Sequence, residues 1–461
     1  MTTEPDRSTV SNEKSPMYLV GVLMVALILR VLFYTYNASL PIKYYANTDA
    51  YNYENIAVNL MENQIYSGEL VPPFIPNVSR PPVYPLFLVL IYKITGSSPS
   101  VVVFLQALIG TITVFLTFLL SRTLKFSVST SVISALVVAL DPISILHTNL
   151  LLTETLFTAV IIGGVICLYY YRQVERQRWL FLSAVLFAVG ALTRPISQYL
   201  PVVLAPLFLM RNKSRSKWIG ISRAAIFVIF SCGLMFIWVY RNYQVLGIWS
   251  LSDTGTYNLA YQSAEAVLES AEDISRDDAI AKIDEKIIVG EVSSTERSNA
   301  ERRVAFEVFR KYPITTVIVH LEGMLKFLIN PGLDNICSQL SRSNDIEGCR
   351  TAGNVPSPGL LDLIRLKFGR MNNLQLAVAG WSILFLIPLY LTSMAGVYEL
   401  VRLKLWNVLL GLLLIILYFM LLSAGGVTTS RFRIPTIPYW GLLSAIGWQV
   451  WGGWLVSLGR K

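Results

Sequence analysis

Residues 17–60 read MYLVGVLMVALILRVLFYTYNASLPIKYYANTDAYNYENIAVNL. The run Met17 to Ala38 has about the 20 apolar residues that cross a bilayer. The stretch after it is opposite in character: Thr48, Asp49, Tyr51, Asn52, Tyr53, Glu54 and Asn55 crowd into one short segment. Hydrocarbon offers such groups no hydrogen-bond partner, so a lipid-facing helix does not carry them together. The chain therefore crosses a membrane and then lays an acid-led helix on its far surface. Ile56, Ala57, Leu60 and Met61 share one side of that helix, and this side is predicted to rest on the membrane domain.

The remainder of the chain repeats the apolar half of this pattern. Of 461 residues, 54% are hydrophobic and 15% charged, with a mean hydropathy of +0.54, whereas soluble domains carry about 25% charged residues. This composition excludes an ordinary soluble enzyme. The 10 Trp and 23 Tyr suit headgroup depth, where amphipathic rings concentrate. A net charge of +9 would suit nucleic acid if the basic residues formed one stripe. They sit instead in short clusters between apolar runs, as cytoplasmic loops do, which argues against a nucleic-acid partner.

Apolar runs of roughly spanning length lie near 17–38, 99–122, 126–147, 150–172, 178–196, 197–211, 218–244, 373–401, 404–424 and 433–457. The predicted fold is an all-α polytopic membrane protein of about ten transmembrane helices. The clusters Arg122/Lys125, Arg172/Arg176/Arg178, Arg211/Lys213/Arg215/Lys217, Arg402/Lys404 and Arg460/Lys461 all fall on the cytoplasmic side only if 81–95 does not cross. That Pro-interrupted stretch is expected as an outer juxtamembrane helix, and 313–332, with His320, Glu322 and Lys326, as an interfacial one. The expected organisation is a cytoplasmic tail at 1–16, a membrane module at 17–244 with a first outer loop at 39–98, an extracytoplasmic helical region at 245–372, and carboxy-terminal transmembrane helices at 373–461. Both termini are then cytoplasmic, in a plasma membrane or bacterial inner membrane. The first run lacks a small-residue cleavage site and reads as an uncleaved anchor. Cys337 and Cys349 share one polar loop, and their number leaves a disulfide open.

This topology leaves Asp49, Glu54, Arg80, Glu154, Arg194, Arg241, Arg431 and Arg433 on or just inside the outer face. Each has a purely structural explanation. Asp49 is a good helix N-cap, Arg80 before two prolines a snorkelling anchor, and Glu154 a carboxylate at a positive helix end. Arg194-Pro195 suits a turn, and Arg431 and Arg433 suit an anchor for the last span. Their convergence from five distant parts of the chain points instead to a site that binds an anion beside a base. Arginine grips phosphate through paired, charge-assisted hydrogen bonds, and a phosphate at a membrane surface belongs most naturally to a lipid. A carboxylate beside it can deprotonate a hydroxyl while the arginines hold the departing phosphate. No acidic DxD cluster is present.

Six blocks, TDAYNYENIAVNL at 48–60, RPPVYPLFL at 80–88, LLTETLFT at 151–158, ALTRPISQYLP at 191–201, YRNYQVLG at 240–247 and RFRIPTIP at 431–438, resemble in this order the GT-C class of membrane glycosyltransferases. The nearest branch holds the protein O-mannosyltransferases and the lipid A 4-amino-arabinose transferases. The resemblance implies a GT-C-like fold and an enzyme that moves a sugar from a polyprenyl-phosphate donor to an extracytoplasmic glycan, lipid or protein acceptor, usually with inversion. It implies Asp49 as catalytic base and Arg80, Arg194, Arg431 and Arg433 around the donor phosphate. Glu154 matches a second acidic position, and Tyr51, Tyr53, Glu54 and Tyr84 are expected near sugar or acceptor. The chain has Ala50 where the protein O-mannosyltransferases carry an acid, and it shows no large soluble carboxy-terminal domain. Neither residues nor resemblance name a cofactor; a divalent cation is left open and no metal ligand is assigned. The rival readings are a lipid-phosphate flippase or exporter, which cleaves no bond, and a ligase or polymerase of diphosphate-linked glycans.

Overall fold

The structure, a computed structural model, describes residues 15–40, 44–45, 48–210, 217–287, 293–341, 369 and 371–458. The tail before Ser15, the basic residues Arg211, Lys213 and Arg215, Cys349, and Arg460 and Lys461 lie outside the described residues. Among the described residues every regular element is a helix, apart from one isolated bridge between Ser67 and Pro76.

In chain order the amino-terminal half holds α1 (Ser15–Ala38), α2 (Thr48–Glu62), α3 (Val83–Thr95), α4 (Pro99–Thr123), α5 (Val128–Ala139), α6 (Pro142–His147), α7 (Glu154–Val174), α8 (Gln177–Thr193), α9 (Leu200–Leu204) and α10 (Lys217–Leu246). Next comes a charged cap: α11 (Thr254–Asn258), α12 (Glu265–Glu272), α13 (Arg276–Ile287) and α14 (Ser294–Lys311). The chain then forms α15 (Pro313–Ile329), α16 (Leu333–Gln339), α17 (Asn373–Arg402), α18 (Trp406–Ser423) and α19 (Ile437–Leu458). The chain is a multi-pass, all-α membrane protein. Six helices, α1, α4, α7, α10, α17 and α18, are each long and apolar enough to cross a bilayer.

Several runs expected to cross as one helix fold as shorter pieces. The run 126–147 breaks into α5 and α6, because Asp141 leaves the helix to accept the Ser144 N–H at 2.9 Å and Pro142 opens the next turn. The run 197–211 is α9 flanked by 3-10 turns, with Pro201 and Pro206 in it. In the run 433–457 the α-helix begins only at Ile437, after a 3-10 stretch over Ser430–Thr436. α15 meets α14 at 105° instead of continuing it.

The core is a helix-on-helix cluster around Phe157, Ile161, Phe187, Phe227, Leu412 and Phe419. α17 and α19 touch backbone to backbone: a Cβ on Gly447 would stand 1.8 Å from the Thr392 carbonyl oxygen, and one on Gly396 2.0 Å from that of Leu443. A second cluster seats α2 and α3 on α4, through Tyr53, Ala57, Tyr84, Leu88, Tyr92 and Val102. The cap has its own small core of Ala260, Ala264, Ile283, Val304 and Val308. On α2 the buried stripe is Ala50, Tyr53, Ile56 and Ala57, with Leu60 and Met61 half-buried. The acid-led helix thus lies on the module with its apolar side down, as its spacing requires.

Candidate active site

Five charged side chains meet where α2, the loop before α3, the start of α7, the end of α8 and the 3-10 stretch before α19 come together. Asp49 sits in the first turn of α2, inside the helix, not at its N-cap. Its Oδ1 accepts from Arg80 Nη2 at 2.6 Å and its Oδ2 from Arg431 Nη1 at 3.1 Å. Arg431 Nε reaches toward Glu154 Oε1 at 3.9 Å, and Arg194 Nη1 lies 2.7 Å from that same oxygen, close but not in hydrogen-bond alignment. One ion-pair chain, Arg80–Asp49–Arg431–Glu154–Arg194, joins residues up to 382 positions apart.

Local sequence explains each placement. Arg80 is held at both backbone ends: its N–H donates to Asn77 Oδ1 at 2.9 Å, and its carbonyl accepts from the Tyr66 hydroxyl at 2.8 Å. Arg194 ends α8 in extended backbone (φ −142°, ψ 117°) because Pro195 comes next, and a residue before proline is pushed out of the helical region. That corner turns its side chain into the site. Glu154 opens α7, where the positive helix end favours a carboxylate. Under Arg80 lies the Tyr53 ring, 5.1 Å from the guanidinium, with Tyr84 edge-on below it. The Tyr84 hydroxyl donates to Gln106 Oε1 at 2.8 Å, and Gln106 Nε2 donates to the Leu150 carbonyl at 2.6 Å, so a buried polar chain props the floor.

Three guanidiniums face two carboxylates, leaving one positive charge in excess. Burial raises the cost of charging Asp49, but Arg80 and Arg431 overcome it and hold the carboxyl below its ordinary value. Three buried atoms of these five side chains have no hydrogen-bond partner: Arg80 Nε and Arg194 Nη1, both donors, and Glu154 Oε2, an acceptor. Buried polar groups are rarely left so, and each is a place for a ligand to complete.

The other expected site residues go elsewhere. Arg433, 1% exposed, points into the core, where Nη1 donates to the carbonyls of Phe327, Leu328 and Asn330 at 3.0, 2.9 and 3.1 Å. Arg433 therefore does not stand beside Arg431: at about 3 residues per 3-10 turn, positions two apart point about 120° from each other. Tyr84 is fully buried and Tyr53 nearly so, so they support the arginine and do not line an open sugar pocket. Glu54 accepts from the Tyr92 hydroxyl at 3.1 Å, in a tyrosine cluster beside the charge chain. Tyr51, half-exposed, stacks on Tyr45 at 4.7 Å. Arg241 braces the Arg80 loop, donating to the Asn77 carbonyl at 2.7 Å over the rings of Tyr66 and Trp238. Sequence reading missed Tyr66, Asn77 and Gln106, which act by bracing other groups: Tyr66 and Asn77 hold the backbone of Arg80, and Gln106 holds the Tyr84 hydroxyl. Among the described residues no group of three His, Cys, Asp or Glu side chains is placed to hold a metal ion.

The helix arrangement matches solved structures of the oligosaccharyltransferase from Archaeoglobus fulgidus. The apo form aligns at TM-score 0.53 and 15% identity over 95% of this chain, and the complex with an inhibitory peptide and a dolichol-phosphate at 0.51 and 12% over 96%. The fold is the GT-C fold. This chain spans about half the length of those structures, 51% of each. Residues 79–238 match the family described as dolichyl-phosphate-mannose-protein mannosyltransferase. A weaker likeness, TM-score 0.40 and 10% identity over 94% of this chain and 78% of the other, extends to ArnT from Cupriavidus metallidurans bound to undecaprenyl phosphate. No curated protein matches by sequence. The matched family segment contains Arg80, Glu154 and Arg194, while Asp49 and Arg431 reach the charge chain from outside it.

Proposed function

We propose that the protein is a glycosyltransferase that takes a sugar from a polyprenyl-phosphate donor and passes it, with inversion, to a hydroxyl acceptor on the extracytoplasmic face. The observation that carries this reading is the Arg80–Asp49–Arg431–Glu154–Arg194 chain, cationic by one charge and gathered from five segments. The GT-C fold and the mannosyltransferase family segment support it, as does a relative of that fold solved with a dolichol-phosphate.

Before the donor binds, Asp49 occupies the arginines that its phosphate would take. When the phosphate arrives, Arg80 and Arg431 exchange the carboxylate for it in bidentate, charge-assisted contacts. Asp49, relieved of two cations, becomes a stronger base next to the sugar. It removes the acceptor hydroxyl proton as that oxygen attacks the anomeric carbon from the side opposite the phosphate. The sugar–phosphate C–O bond breaks, its electron pair leaves on the phosphate oxygen, and the arginines neutralise the charge that develops there. Glu154, through its open Oε2, accepts a hydroxyl of sugar or acceptor, while Arg194 fixes its other oxygen. Tyr51 stands at the open edge for the acceptor.

Purified protein incubated with a panel of radiolabelled polyprenyl-phosphate sugars and candidate hydroxyl acceptors is expected to release free polyprenyl phosphate from one of them. In proteoliposomes, movement of an intact donor across the bilayer with no phosphate released would instead establish the flippase.

A further inference from the structure

The loop that brings Arg80 to the site carries a feature the chemistry does not use. Its stem is firmly held: the Asn77 N–H donates to the Tyr66 carbonyl at 2.8 Å, and Asn59 Nδ2 donates to the carbonyls of Ser67 and Glu69 at 2.8 and 2.7 Å. Its tip is the run Leu70-Val71-Pro72-Pro73-Phe74-Ile75-Pro76, with Leu70 79%, Val71 70% and Ile75 56% exposed. A contiguous apolar run held out into water is a liability unless something covers it. The tip has no charged side chain, and its prolines at 72, 73 and 76 bring no backbone N–H that would need a partner in an apolar medium.

The stem stands on the outer part of α10. The Tyr66 ring meets Trp238 edge-on at 5.1 Å, and Arg241 clasps both rings and the Asn77 carbonyl. α10 is long and apolar enough to cross a bilayer, and beside that contact its bare face shows Phe236, Ile237 and Tyr240, with Ile237 68% exposed. A ladder of stacked rings, Phe236–Trp249 and Trp249–Tyr243, continues along this edge, the residue type that settles at headgroup depth. The stem that carries the apolar tip thus rests on a helix apolar enough to cross a membrane, beside that helix's exposed apolar face.

We propose that the exposed Leu70, Val71 and Ile75 insert into the outer leaflet of the bilayer, making the first outer loop a membrane anchor. Its consequence for catalysis rests on the proposed activity: the anchored stem holds Arg80 and Asp49 at the level of lipid headgroups, where a lipid-borne phosphate resides. The test measures insertion alone, so its failure is distinguishable from failure of the activity.

With the exposed Cys232 replaced by Ser, Val71→Cys carrying an environment-sensitive fluorophore is placed in phosphatidylcholine nanodiscs beside a Glu62→Cys control. The expected result is blue-shifted emission at 71, severalfold quenched by lipids spin-labelled near the headgroup, with the control unchanged. Water-like, unquenched emission at 71 overturns the proposal. So does shielding at 71 in native membranes without quenching in nanodiscs, which assigns the tip to a protein partner. On the unmodified protein, a photoactivatable phosphatidylcholine is expected to label the peptide spanning 65–78, and its absence from that peptide overturns insertion independently of any variant.

Discussion

Arg431 is the hinge of the site, because it alone touches both carboxylates, while Arg433 two residues on touches neither. Arg431→Ala is expected to weaken donor binding strongly in a protein that still folds. Arg433→Ala is expected to cost on the order of 3 kcal/mol of stability by stranding buried carbonyls that lose a charged donor. Donor affinity and thermal unfolding, measured on both variants, should separate in opposite directions; parallel losses would refute the division of labour. Asp49→Asn is expected to lower turnover by ~10²–10⁴-fold, the usual share of a general base, with donor binding retained. Since the folded value of Asp49 is depressed by Arg80 and Arg431, its ion pairs stabilise the protein above the ordinary aspartate value of about 4. That stability is lost as pH falls through the depressed value. The acid limb of kcat/KM, which reports the free enzyme, should accordingly lie below about 4. The limb of kcat should lie higher, because bound phosphate has taken the arginines. Coincident limbs would mean that the phosphate does not displace Asp49.

At the scale of elements, the spanning runs and the amphipathic face of α2 were legible because apolar spacing is written residue by residue along one segment. Where an expected span came apart, a proline beside a capping acid or within a turn was the cause, as at Asp141-Pro142 and in α9. The rotation of a 3-10 turn was not legible, so Arg433 was expected beside Arg431 and found turned away, onto buried carbonyls. The contact of α17 with α19 was equally hidden, since it depends on which glycines face each other. Gly447→Ala would drive a methyl into the Thr392 carbonyl. Its expected cost is about 1–3 kcal/mol of overpacking strain, read as a lower midpoint of thermal unfolding in detergent. The Arg194 corner is forced by Pro195, a local rule the sequence does state, though only the fold shows that the corner opens onto Glu154.

Over the whole molecule, charge is distributed from end to end. Arg122, Arg172 and Arg402 close the carboxy-terminal ends of α4, α7 and α17, while Glu154 and the ion-pair chain lie at the opposite end of α7. With basic ends cytoplasmic, the site is expected outside. An impermeant thiol reagent added to intact cells should label Glu62→Cys on α2 and leave Arg178→Cys, in the first turn of α8, unlabelled; the reverse pattern would invert the topology. The sequence by itself determined the membrane class, the helical architecture and the residue types from which the proposed anion site is drawn, because hydropathy and charge add up along a segment without reference to the rest of the chain. Only the tertiary structure decided which charges meet. Pairing Asp49 with Arg431 across 382 positions, and turning Arg433 away, depends on the packing angles of five segments and the phase of one short helix. No local stretch of sequence contains that information.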